Sequence, residues 1–167
     1  MAFNMYTASV PVLVRYLKNT SNLLDKGAAF CAAKKIDPSV LLSYRLAPDM
    51  FPLSRQIQIL SDAAKGAGAR LAGVEVPSFP DTETTVDDLK ARIAKTVSFL
   101  EGLKESQFSG AENRDISFKA GPNDIKFRGD DYLSSWVFPN FFFHVTAAYS
   151  IMRHMGVELG KRDYLGM

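Results

Sequence analysis

The sequence of 167 residues is poor in cysteine and histidine. It contains one cysteine, Cys31, so no disulfide can form within the chain. The two histidines and Cys31 also lack the spacing of a structural zinc site. A single cysteine of this kind is typical of proteins from a reducing compartment. We therefore expect a cytoplasmic location.

Long apolar runs and an excess of charge are also missing. No run of about 18 apolar residues occurs, and residues 1–6 lack the basic and apolar segments of a signal peptide, so we expect a chain that is neither membrane-spanning nor secreted. The net charge is +2, and the 20 lysines and arginines are spread along the chain. Nucleic-acid-binding surfaces concentrate basic residues. The sequence therefore predicts neither a nucleic-acid partner nor a membrane partner.

An intact catalytic signature is absent as well. The sequence contains no recognisable serine–histidine–aspartate arrangement, glycine-rich phosphate loop or pair of catalytic carboxylates. With 47% hydrophobic and 23% charged residues, the composition is that of a globular protein, and the length suits a single domain over residues 1–167. Composition and motifs leave open whether the protein is an enzyme.

Apolar residues at steps of three and four predict a long first helix. Its core face comprises Tyr6, Val10, Leu13, Leu17, Thr20, Leu24 and Cys31. Pro11 is tolerated if this helix begins near Ser9, because a proline in the first turn removes an amide that has no partner there. A start before Tyr6 would instead predict a kink.

Three further helices follow from the same periodicity. The second runs from about Leu53 to Leu71, and its small residues at 63–69 predict a close crossing with another helix. The third follows a cap at Thr84 or Thr85. The last occupies about 139–155 and ends at Gly156. Between the first two, the proline-rich segment 35–52 predicts a structured connector with about one helical turn.

The period changes from helical to alternating between residues 114 and 128. Ile116 and Phe118, then Ile125 and Phe127, stand on either side of Ala-Gly-Pro-Asn-Asp. This pattern predicts a β-hairpin over about 115–127. Together the elements predict an all-α four-helix bundle with a small β-hairpin inserted before the last helix.

Several short stretches resemble one family of helical bundles. They are Met5-Tyr6, Ser9-Val-Pro11, Arg45-Leu-Ala-Pro-Asp-Met-Phe-Pro52, Asp81-Thr-Glu-Thr-Thr85, Pro139-Asn-Phe, His144-Val-Thr and the tail from Arg153 to Lys161. On these residues the chain resembles the DinB/YfiT-like four-helix-bundle superfamily, and within it an uncharacterised bacterial and fungal branch. The resemblance covers nearly the whole chain and carries no assigned activity.

The wider superfamily implies a divalent metal held by one histidine of the second helix and a His-x-x-x-His pair on the fourth. His144 matches the second member of that pair, but Asn140 stands at the first. No histidine lies near the second helix, where Asp49 and Gln56 are the nearest polar candidates. His154 lies about 15 Å of helical rise from His144 and points about 80° away, so these two cannot share a metal.

We interpret this pattern as a degenerate metal site. The pocket candidates are Asp49, Gln56, Asn140 and His144, and no cofactor is expected. The alternative is a divalent metal such as zinc or nickel held weakly by His144, Asn140 and Asp49. Asp49 either caps a helix or faces the pocket, in which case Arg45 and Arg55 are candidate partners for its carboxylate.

Two functions therefore remain open. The first is a homodimeric small-molecule-binding or interaction module, since three consecutive phenylalanines at 141–143 place one ring outward, where it needs a partner. The second is a metal-dependent enzyme, resembling thiol or group transferases, that uses His144 in an internal pocket. His154, beside Arg153 at a helix end, is interpreted as a complement to the helix dipole.

Overall fold

A computed structural model describes residues 4–167 and contains the expected four-helix bundle with a two-stranded hairpin. The bundle helices are α1 (Met5–Lys34), α3 (Leu53–Ala72), α4 (Val86–Gly102) and α6 (Phe138–His154). Helix α3 packs mainly against α6 and α4, and α1 packs mainly against α4. Among the helices of residues 4–167, none combines the length and apolarity needed to span a bilayer.

Helix α1 begins earlier than a start near Ser9, which was one of the two expectations. Asn4 caps the helix because its side chain accepts a hydrogen bond from the Thr7 amide at 3.0 Å, and Thr7 reciprocates in a capping box. Pro11 therefore lies inside the helix. The predicted core face is confirmed, since its members are buried apart from the half-buried Tyr6.

The close crossing predicted for the small residues of α3 is confirmed at one glycine. A Cβ atom on Gly68 would overlap Cδ2 of Leu100 and lie 3.0 Å from Cδ1 of Leu103, so α3 and α4 approach here because the side chain is absent. Gly66 is different, since its nearest neighbour is the Arg70 side chain of the same helix. The glycine at 68 thus sets the distance between the two helices.

The connectors are short and capped. Helix α2 (Pro38–Ser43) is the expected single turn in the proline-rich segment, and the Asp37 side chain accepts from the Ser39 amide at 2.8 Å. An extended segment then leads from α3 to Thr85, which forms a capping box with Asp88 at the start of α4. The prediction that Thr84 or Thr85 caps this helix is confirmed.

The predicted hairpin is confirmed. Strands β1 (Asp115–Ala120) and β2 (Asn123–Arg128) pair antiparallel, with Phe118 opposite Ile125. The ring of Phe118 contacts the ring of Trp136, with 5.4 Å between the ring centres. Aromatic packing therefore holds the hairpin against the segment that precedes α6.

The chain enters α6 through a helical segment of changing pitch. A short α5 (Gly129–Asp131) continues as a π-helix over Tyr132–Val137 and then as α6, so the segment before the last bundle helix is helical throughout. A final α7 (Lys161–Leu165) packs on α1, with the Tyr164 and Tyr16 rings 5.5 Å apart. These contacts fix the bundle around α6, which carries His144.

Candidate functional site

A buried hydrogen bond joins the two central bundle helices at the candidate site. His144 on α6 and Gln56 on α3 are 7% and 1% exposed, and Nδ1 of His144 lies 2.6 Å from Oε1 of Gln56. Gln56 Nε2 donates to the Phe51 carbonyl oxygen at 3.0 Å. Because a carbonyl only accepts, the amide presents its oxygen to His144, and Nδ1 must carry the proton. The lone pair of the imidazole is therefore on Nε2.

The environment keeps this imidazole neutral. Burial, and secondly the positive charge of Arg55, lower the pKa of His144 from 6.5 to about 4. Both effects disfavour the protonated ring, the first by removing water and the second by like-charge repulsion. At neutral pH, His144 is a hydrogen-bond acceptor at Nε2 and a donor at Nδ1.

The free nitrogen of His144 reaches the protein surface. Every buried side-chain nitrogen and oxygen within residues 4–167 has a hydrogen-bond partner. Nε2 of His144 has none within that range, whereas Nδ1 is held by Gln56. Nε2 therefore contacts solvent, although most of the His144 side chain is buried.

Two exposed aromatic rings and a cation belong to the residues around the His144–Gln56 pair. Phe143 is 57% exposed, and its ring stands perpendicular to the His144 ring with 5.2 Å between centres. Phe51 is 54% exposed, and the guanidinium carbon of Arg55 lies 6.0 Å from its ring centre. Together with Asn140, these residues (Phe51, Arg55, Asn140, Phe143 and His144) form what we call the His144 surface.

Asn140 lies one turn before His144 on α6, as its spacing predicts. It is half-buried, and its side-chain amide makes no hydrogen bond with any residue in 4–167. The amide therefore faces solvent on the same side of the helix as His144. Asn140 forms no hydrogen bond with the backbone near Pro139 either.

The structure does not bring Asp49 to the other candidates. Asp49 is exposed in the turn before α3, and the N-cap of that helix is Pro52, so the interpretation of Asp49 as a helix cap is wrong. Neither expected arginine pairs with it. Arg45 donates to the Pro48 carbonyl oxygen at 3.3 Å, and Arg55 forms its ion pair with Asp81. Within residues 4–167, Asp49 makes no hydrogen bond or ion pair with Gln56, Asn140 or His144.

The donor atoms present do not fit a divalent metal. Within residues 4–167, no three histidine, cysteine, aspartate or glutamate side chains come close enough to hold a metal ion. His144 offers one nitrogen, Nε2, while Gln56 and Asn140 offer neutral amides, which are weak zinc ligands. Zinc sites in proteins use three or four protein ligands.

The second histidine lies at the far end of α6. His154 is exposed in the last turn of the helix, where a positive charge favours the helix dipole. Its ring stacks on Tyr44 with 5.6 Å between centres. His154 therefore has no part in the His144 surface and serves as a matched control for it.

A buried arginine that sequence reasoning missed ties the α3–α4 loop to the bundle. Arg92 on α4 is 3% exposed. It donates to Ser61, Asp62, Pro80 and Glu83 and lies 3.0 Å from an oxygen of Asp81. Asp81 also pairs with Arg55, so the network reaches the His144 surface. The acidic stretch 81–85 was the available signal, since its charges need a cation that the local sequence does not supply.

The single cysteine is a packing residue. Cys31 is fully buried on α1, as its place on the predicted core face requires. Burial, and secondly the negative charge of Asp37, raise the pKa of its thiol. Because the thiolate is the reactive form, this thiol is a poor nucleophile at neutral pH.

Two clefts of the described chain lie away from the candidate residues. A cleft of about 320 Å³ is lined by the loop and α4 residues Phe79, Glu83, Arg92 and Lys95, among others. Another of about 550 Å³ lies between Asn4, Phe108 and Gly110. Neither cleft is lined by Asp49, Gln56, Asn140 or His144. No residue of the His144 surface lines either cleft, so what marks that surface as a candidate is its chemistry.

Comparisons with known proteins place this architecture among uncharacterised helical bundles. The model of a family described as a domain of unknown function (DUF1993) matches residues 5–165. The crystal structure of a DinB family member protein from Shewanella denitrificans is similar, with 42% sequence identity and a TM-score of 0.91. That similarity covers 97% of this chain and 92% of the other. Among proteins of curated function, none matches.

Proposed function

This chain belongs to the DinB-like family DUF1993, and we propose that it is a cytoplasmic, homodimeric small-molecule-binding module whose metal site is degenerate. The observation that carries the proposal is the state of His144. Gln56 holds Nδ1 in place, and Nε2 presents a lone pair to solvent on an imidazole that packs against the exposed ring of Phe143. A fixed acceptor next to apolar rings is suited to recognising a ligand.

The properties of His144 favour binding over catalysis. A general base works best when its pKa lies near the operating pH. The pKa of His144, about 4, makes it a weak base at pH 7. A neutral imidazole of low basicity still accepts a hydrogen bond, so it positions a ligand without removing its proton.

The replacement of metal ligands supports the degenerate site. Gln56 and His144 meet across α3 and α6, with Asn140 one turn away. These are the helices from which the superfamily draws its three histidines. Two amides and one imidazole now occupy this region. We propose that the polar groups recognise an organic molecule in place of an ion.

The homodimer rests on apolar side chains left exposed by the bundle. Phe143 is the outward ring expected from the three consecutive phenylalanines, since Phe141 is buried and Phe142 is half-buried. Val40 at 47% and Leu46 at 41% exposure are further exposed apolar side chains, outside the His144 surface, that a twofold contact would cover. Sedimentation of the purified chain tests this. A single monomeric species at high micromolar concentration would contradict it.

A ligand screen with matched histidine variants tests the binding function. We expect some compounds of a small-molecule library to raise the melting temperature of the wild-type protein and of His154→Gln, and to lose that effect in His144→Gln. Glutamine at 144 retains an amide that can donate to Gln56 but lacks the imidazole lone pair. If both variants respond as the wild type does, His144 is not at a binding site.

The alternative function, a metal-dependent enzyme using His144, is separated by metal analysis. Purified protein is offered zinc, nickel and manganese in turn, and its metal content is measured after dialysis. The binding module predicts no stoichiometric metal. One equivalent of metal that is lost in His144→Gln but kept in His154→Gln would support the enzyme instead.

A further inference from the structure

We infer that the His144 surface binds a small carboxylate that carries an apolar group and a hydroxyl close to the carboxylate. This inference rests on the proposed function, because it names the class of ligand for the same surface. Each of the three ligand groups is inferred from a separate feature of the surface.

The hydroxyl group of the ligand is inferred from His144. Nε2 holds a lone pair and has no partner within residues 4–167, so it accepts a hydrogen bond from a ligand. The direction of this bond is fixed, because the Gln56 amide oxygen binds the proton on Nδ1. A ligand without a donor leaves Nε2 unpaired once the surface is covered, which is unfavourable.

The carboxylate of the ligand is inferred from Arg55. Its side chain is 37% exposed and uses only Nη1 within the described chain, toward Gln58 and Asp81. Nε and Nη2 remain available, and adjacent guanidinium nitrogens bind a carboxylate through two parallel hydrogen bonds. The guanidinium lies 6.0 Å from the centre of the Phe51 ring, and the carbonyl oxygen of Phe51 holds Gln56, the partner of His144. This chain of contacts links Arg55 to His144, so we propose that one small molecule contacts both.

The apolar group of the ligand is inferred from the two exposed rings, those of Phe51 and Phe143. Phe51 neighbours Arg55, and Phe143 stands against the His144 ring. Both rings are more than half exposed, and a ligand ring placed between the polar contacts would cover them. Although Arg55 is paired with Asp81 through Nη1, its Nε and Nη2 donors remain available, and these favour an anionic ligand.

Three matched probes test this ligand class. They are 3-phenyllactate, 3-phenylpropionate, which lacks the hydroxyl, and 3-phenyl-1,2-propanediol, which lacks the carboxylate. Binding is followed at pH 7 by nuclear magnetic resonance of the His144 ring and by calorimetry. We expect 3-phenyllactate to bind at least about tenfold more tightly than either of the others, since each removes one hydrogen-bonded group, and more so for the charged one.

Variants assign each preference to its residue. His144→Gln should abolish the preference for 3-phenyllactate over 3-phenylpropionate, and Arg55→Gln should abolish its preference over the diol. His154→Gln should keep both preferences. Because Arg55 also pairs with Asp81, Arg55→Lys is measured beside it. Lysine retains the charge without the paired donors, so it should weaken 3-phenyllactate binding by less than glutamine does.

The outcomes separate the ligand class from the proposed function. Equal affinities for the three probes, or a neutral library compound that shifts the His144 signals when 3-phenyllactate does not, overturn the carboxylate assignment and leave the binding function standing. If neither the probes nor any library compound shifts those signals, the binding function is overturned as well.

Discussion

Acid should destabilise this protein through one residue, His144. The pKa of His144 is about 4 in the folded protein, against 6.5 for an unperturbed histidine. The unfolded chain therefore binds a proton between these values that the folded chain does not. Stability is fully present above about pH 6.5 and is lost as the pH falls toward 4. A difference of about 2.5 pKa units corresponds to a loss of ~3 kcal/mol in the free energy of unfolding.

Other groups titrate in the same range, so the contribution of His144 must be isolated. Partial burial opposes ionisation of Asp81, but the Arg55 and Arg92 guanidinium groups outweigh it and hold the pKa of Asp81 below its usual range. Such carboxylates lose their stabilising effect only at lower pH. The variant His144→Gln removes the histidine titration and leaves the carboxylates unchanged.

Urea unfolding followed by Trp136 fluorescence measures the effect. Between pH 7 and pH 4.5, the wild type should lose more stability than His144→Gln, by most of the ~3 kcal/mol. His154→Gln keeps the His144 titration and should follow the wild type. Equal pH dependence in wild type and His144→Gln would refute the reasoning. So would a nuclear magnetic resonance titration that places the midpoint of His144 at pH 6 or above.

Three further predictions concern stability at neutral pH. His144→Ala should lower the free energy of unfolding by about 1 to 3 kcal/mol, because Gln56 loses its buried partner. His154→Ala, at an exposed helix end, should lower it by about 0.3 to 1 kcal/mol. Thermal unfolding measures both, and equal shifts would contradict the burial of His144 at the candidate site. Arg92→Ala should lower the free energy of unfolding by about 3 kcal/mol, because it leaves acidic groups of the loop without their cation. Urea unfolding measures this, and a loss below about 1 kcal/mol would show that the network is dispensable. Gly68→Ala should lower the free energy of unfolding by about 1 to 3 kcal/mol, because the new Cβ overlaps α4. Gly102→Ala is the control, since no atom lies within 4 Å of its new Cβ, and it should not have this effect. Similar effects of the two variants would contradict the close crossing at Gly68.

The sequence determined the features that depend on neighbours along the chain. The apolar period places Leu53, Ile57 and Leu60 on the core face of α3, and all three are fully buried. Thr85 and Asp88 form a capping box because the two residues are three positions apart. Alternation around a turn gives the hairpin. Each of these is decided within a few residues, so the local pattern is sufficient.

Some local signals nevertheless misled, because two structures compete for the same residues. Asn4 caps α1, so the helix begins at Met5, before Pro11, although the proline favours a start closer to Ser9. Asp49 has the flanking prolines of a helix cap, yet the turn places it outside α3 and leaves it exposed. The helix begins at Leu53, which is fully buried and whose amide donates to the Tyr44 carbonyl oxygen at 3.0 Å.

Only the tertiary structure decided the candidate site. Gln56 and His144 are 88 positions apart, and their hydrogen bond requires a specific register between α3 and α6. The pKa of His144 follows from that burial and from Arg55, which no spacing reveals. Arg92 likewise finds its carboxylates across a loop. Helical periodicity gives the face on which a polar residue lies, but the partner on the opposite helix depends on packing of the whole bundle.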